Sequence, residues 1–359
     1  MIMNRAGKTS YNVYIGTYAD KSLPSIWQCS YDNKTGSLEY GNSVSGILNP
    51  SFLARDEGRN WLYAVSESTE HGSVVAFDIQ NESGNLSYKH TKSTLGGAPC
   101  HLMLDGDGDY LFVTNYMGGN ICLFPVLPTG NLGDMSDNIR HRGRSVNPER
   151  QEAPHPHSAV IDPTNQYVIV SDLGLDKIII YRLDRNENKL IRHQEVMETP
   201  GSGPRHFVFH PSHKFAYAIN ELDSTITGFT YNIEHGTLSK VETVSAIPDD
   251  FTGVSHGADI HVAPNGKFLY ASNRGHDSIA VFKIDEGSGV LTNVGYTPTR
   301  GQTPRNFAIA PDGHFLLVAN QDSDTVVTFK IDQQTGKLKD TGNEIHIEKP
   351  VCIKFNSVQ

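Results

Sequence analysis

In a sequence pattern repeated along the chain, His157, Arg205 and Arg305 stand at the start of one short apolar run, and Glu221 and Arg274 stand just past the end of the next. An imidazole and a carboxylate among guanidiniums can do two kinds of chemistry. The planar arginine fork binds phosphate or carboxylate through paired hydrogen bonds. His157 or Glu221, within reach of a water, can take a proton from it. Spacing alone does not choose between these two bases, and it leaves Arg205 and Glu221 open to a purely structural reading as an ion pair.

Around these five, His101, His206 and Asn273 lie next to the same positions and are read as substrate-binding, although His101, His206 and Asn306 could equally satisfy buried polar groups. Asp259 and His261 alternate onto one strand face. His155 and His157 flank a proline, but no third ligand follows at a recognised spacing, so no metal and no cofactor are assigned. Cys29, Cys100, Cys122 and Cys352 show no paired spacing and are read as reduced.

The elements that must carry these residues are short apolar runs ending on polar residues, such as Leu111-Phe-Val-Thr-Asn and Ala216-Tyr-Ala-Ile-Asn. Taking Thr17, Ser66, Asn115, Asp172, Asn220, Asn273 and Asn320 as one column, the successive spacings are 49, 49, 57, 48, 53 and 47 residues. That period is the length of a β-propeller blade. Each unit offers a first strand behind a proline, this second strand, a third, and a Gly-Xaa-Leu turn into a fourth. The chain therefore reads as all-β: a single domain over residues 1–359, a seven-bladed β-propeller of four-stranded antiparallel blades. Lys349-Pro-Val-Cys-Ile supplies the strand missing before Val13, so the C-terminus is expected to complete the N-terminal blade and close the ring. The long spacing marks an insertion at about 127–154, read as a solvated loop.

Antiparallel order puts the start of each first strand and the end of each second strand on one face. Five chemical residues thus converge at one mouth of the channel. A net charge of −10, from 30 Lys and Arg against 40 Asp and Glu, argues against nucleic-acid or acidic-membrane partners. No apolar leader or spanning run is present, which gives a cytoplasmic expectation. Oligomeric state has no signature.

Pro156-His-Ser-Ala, Gly203-Pro-Arg-His-Phe-Val-Phe-His-Pro, Asn220-Glu-Leu, Ala258-Asp-Ile-His-Val-Ala-Pro-Asn-Gly through Asn273-Arg, and Thr303-Pro-Arg-Asn-Phe together resemble the lactonase family of seven-bladed propellers across the whole chain. The resemblance implies that His157, Arg205, Glu221 and Arg274 are the active-site residues and that no metal takes part. It further implies hydrolysis of a sugar lactone, 6-phospho-D-glucono-1,5-lactone, with a small anionic lactone as the partner. A muconate-type cycloisomerase is the nearest alternative, and a non-catalytic binding scaffold the one from a different class.

Overall fold

The computed structural model describes residues 10–56, 58–81 and 83–357. These form seven four-stranded antiparallel sheets arranged as blades. Six blades use consecutive strands; in the seventh, Pro350–Ser357 pairs with Ser10–Thr17, Ile353 opposite Ile15 and Phe355 opposite Val13. The expected ring closure is present, and it removes the sheet edge that an open ring would leave.

The blades are packed by apolar residues of their first three strands, while the outermost strands are largely exposed. One polar staple repeats between neighbours. Tyr14, Tyr63, Tyr217 and Tyr270, all buried in second strands, donate their hydroxyls to the carbonyls of Gly84, Gly130, Gly289 and Gly336 in the next blade. Those glycines are the Gly-Xaa-Leu turns, and each has φ between 71° and 80°. A Cβ at Gly289 would meet the Phe215 ring at 2.5 Å, so both backbone conformation and space require glycine there.

The insertion differs from its reading as a solvated loop. Its Asp137–Arg140 segment is the outer strand of the third blade, pairing with Asn120–Pro125. The rest is fastened to the fourth blade: His141 bonds Asp172 at 2.5 Å and the Tyr181 hydroxyl at 2.8 Å, and Ser145 donates to Asp176. Charge balance in the sequence concealed these partners, because the acids lie in the neighbouring blade.

What aims the site is a bulge. The first strands Pro99–Leu104, Pro156–Ile161, Pro204–Phe209 and Pro304–Ile309 each slip register directly after their proline, leaving Cys100, His157, Arg205 and Arg305 without a partner residue. Proline has no N–H to donate to the ladder, so the pairing is weakest at that point. The extra residue bends the strand and turns its own side chain out of the alternation. Three of the five chemical residues are bulge residues.

Candidate active site

Glu221, at the end of a second strand and 4% exposed, is the hub. Arg205 donates from Nε to Oε2 at 3.0 Å, and Arg274 places Nη2 2.9 Å from the same oxygen. Arg150 reaches Oε1 with Nη2 at 2.5 Å and the Tyr116 hydroxyl at 3.3 Å. Burial alone would raise this carboxyl's pKa; Arg274, Arg205 and Arg150 outweigh burial and hold it far below the usual carboxylate range. Three guanidiniums occupy its two oxygens and compete with any water for them.

Arg205 is 2% exposed and held at two of its three nitrogens: besides the Nε bond to Glu221, its Nη1 donates to the Ala258 carbonyl and to His206 Nε2 at 3.2 Å. Burial, then repulsion from Arg305 and Arg274, lowers it to about 9. His206 passes the constraint on, its Nδ1 lying 2.7 Å from Asp259 Oδ1. Asp259 in turn holds His261 and Asn306. The chain of contacts fixes Arg205 from behind.

His157 is the opposite case. Its ring is 4% exposed, packed edge-on against Tyr116 and His206, and its Nδ1 is buried without a hydrogen-bond partner among the described residues. Burial first, then the guanidinium of Arg205, pushes its pKa well below the ordinary histidine value, with Arg305 and Arg274 adding to the effect. It is a neutral imidazole with a nitrogen to spare. Arg274 likewise keeps a buried, unpartnered Nε, while its Nη2 donates to the Gly257 carbonyl.

The structure brings His157, Arg205, Glu221 and Arg274 together, with Arg305 standing over the Tyr18 ring at 5.2 Å. Two other assignments change. His101 and His206 are floor rather than wall, lining a cavity of about 520 Å³ shared with His210 and Pro211 of the opposite face's turn. Asn273 is spent on architecture: its Nδ2 donates to the Ala246 carbonyl at 2.7 Å, as Asn115 does to Thr94 and Asn320 to Thr299. His155 is not paired with His157; it stacks on Tyr116 and bonds the Tyr116 carbonyl and Glu152. Arg150 was missed, since the insertion has no copies against which an odd residue stands out.

The buried histidines make the site acid-sensitive. Burial is the main cause that lowers His206 to about 4 and His101 and His157 well below normal. Unfolded, each binds a proton near the ordinary value of about 6.5. Between that value and the depressed folded value the unfolded chain holds more protons, so stability is lost as pH falls through this window. The unfolding midpoint is expected to drop by several degrees from neutral pH to about pH 5, above the range where ordinary carboxylates titrate. A midpoint flat across that interval, followed by circular dichroism, would count against neutral buried histidines.

A family model described as a seven-bladed β-propeller lactonase matches residues 12–355. The chain is 36% identical over 299 residues to a Bacillus subtilis protein named 6-phosphogluconolactonase, covering 83% of this chain and 85% of that one. A Formosa agariphila protein of the same name is 36% identical over 305 residues, 83% of this chain and 86% of its own. Among solved structures, the Pseudomonas aeruginosa periplasmic gluconolactonase PpgL superposes with a TM-score of 0.92 at 32% identity, across 98% of this chain and all of that one.

Proposed function

The chain belongs to the lactonase family of seven-bladed β-propellers and is a sugar-lactone hydrolase, and on that premise we propose that it opens 6-phospho-D-glucono-1,5-lactone to 6-phosphogluconate. The observation that carries the mechanism is the neutral His157, whose ring makes no hydrogen bond among the described residues, beside guanidiniums. His157 takes a proton from water as the water attacks the lactone carbonyl carbon. Arg274 stabilises the tetrahedral oxyanion with its guanidinium. Collapse breaks the bond to the ring oxygen, which leaves as the sugar hydroxyl by taking the proton from His157; the new carboxylic acid then ionises. Glu221 keeps Arg150, Arg205 and Arg274 charged and in place. Arg305, whose guanidinium has no carboxylate partner among the described residues, receives the substrate phosphate.

The scheme draws its base and its charge stabilisation from side chains and calls on no metal. We propose that the reaction runs in the cytoplasm, in the oxidative pentose phosphate pathway, because a phosphorylated sugar does not cross membranes unaided. Comparison of kcat/KM on the phospholactone, on glucono-1,5-lactone and on 3-carboxymuconate tests the assignment. The phospholactone is expected to be preferred at least about tenfold over its unphosphorylated analogue. Preference for the muconate would select a cycloisomerase, a reaction that needs a proton donor where His157 is unprotonated.

Arg150→Met is expected to lower kcat/KM about tenfold, the scale of one charge-assisted hydrogen bond. Arg150 is one-third exposed and lies outside every blade's interior, so the unfolding midpoint is expected to move little. A variant with native kcat/KM would remove the insertion from the site.

A further inference from the structure

Arg305 differs from the other site arginines in what holds it. Arg150, Arg205 and Arg274 all bond Glu221, whereas Arg305 rests on the face of Tyr18, 5.2 Å from the ring centroid. The ring itself is pinned at both ends. Its backbone N–H donates to the Lys349 carbonyl at 3.0 Å, and its hydroxyl donates to Glu67 Oε2 at 3.1 Å. Glu67 is tied down in turn: the Ser51 hydroxyl donates to the same oxygen, and the Glu67 backbone exchanges hydrogen bonds with Asn49.

We propose that Tyr18, clamped by Glu67 and Ser51, is the positioning residue that makes Arg305 the anion receptor of this site and so sets the preference for a phosphorylated substrate. An aromatic face attracts a guanidinium without occupying its N–H groups, so the planar fork stays free for two phosphate oxygens. A carboxylate in the same place would fill the fork and compete with the substrate. Glu67 acts one step removed. It fixes the ring and adds negative potential behind Arg305; burial alone would weaken that charge, and the carboxylates of Glu67 and Glu221 oppose the loss. Burial keeps the Tyr18 phenol protonated, so its hydroxyl remains a donor to Glu67. The platform comes from the N-terminal blade and from the blade after it, while Arg305 comes from the blade completed just before the closing strand. The receptor is therefore assembled across the ring seam, opposite the Glu221 cluster in sequence order.

This inference rests on the phospholactonase reading for its substrate but can be tested without catalysis. Inorganic phosphate is the probe, titrated against the native protein, Tyr18→Phe, Tyr18→Leu and Arg305→Gln while the unfolding midpoint is followed. Phosphate is expected to stabilise the native protein. Its affinity should fall about threefold in Tyr18→Phe, which keeps the ring but frees it from Glu67, and about tenfold in Tyr18→Leu and Arg305→Gln. The ratio of KM values for the unphosphorylated and phosphorylated lactones should collapse in the same order. Native-like phosphate affinity in Tyr18→Leu overturns the inference, as does a native protein that phosphate does not stabilise. If Tyr18→Leu does not fold, native affinity in Tyr18→Phe overturns it equally. A native protein that binds phosphate with this graded loss but hydrolyses neither lactone sinks the lactonase reading and leaves the anion receptor standing.

Discussion

Replacing His157 by glutamine is expected to lower kcat for lactone opening about a thousandfold, the contribution of a positioned general base, while changing the fold's stability little. The two halves of that expectation have one cause. His157 is neutral in the folded protein, so an uncharged side chain of similar length removes no charge that Arg205, Arg274 or Arg305 depend on. Substrate contacts through those arginines persist, and KM should shift far less than kcat. The acid limb of the native pH–rate profile is expected well below the ordinary histidine value and should vanish with the imidazole. A glutamine variant that retains native kcat would take the proton-transfer role away from His157.

Glu221→Gln is expected to fail differently, losing stability and activity together. Arg150, Arg205 and Arg274 share this single carboxylate among the described residues. Neutralising it leaves buried guanidiniums facing one another, of which Arg205 is 2% exposed and cannot turn to solvent. Breaking such a buried pair costs about 3–5 kcal/mol, which in a chain of this size lowers the unfolding midpoint by roughly 5 °C or more. Activity falls because Arg274 and Arg205 lose their alignment. If Glu221 were the base, His157→Gln would keep its rate while Glu221→Gln lost nearly all of its own. Calorimetry and initial rates on the two variants together separate these roles.

The blade repeat was legible because each second strand repeats a short apolar run closed by a polar residue. The same column explains the error at Asn273. Asn115 and Asn320 repeat it with the same bond from Nδ2 to a backbone carbonyl, and a residue that recurs around the ring is holding the ring together. Arg205 and His157 stand out for the opposite reason, being departures from their column. The bulge that aims them leaves no trace in hydrophobic alternation, since it is a slip in pairing after a proline and not a change in residue type. His206 was misjudged for the same reason: once Arg205 leaves the ladder, the next residue falls beneath the site and supports it from below. Arg150 reaches Glu221 across 71 residues from a segment without repeats, and Tyr18 and Glu67, although both stand at second-strand ends, look ordinary until Arg305 is seen resting on the ring.

The most direct measurement is the initial rate of 6-phospho-D-glucono-1,5-lactone opening by the purified protein, at a mildly acidic pH where spontaneous opening is slow, run beside buffer and His157→Gln. The native protein should accelerate opening strongly and the variant should retain only a small fraction of that acceleration. A native protein no faster than buffer, or a variant as fast as the native protein, would contradict a lactonase whose base is His157.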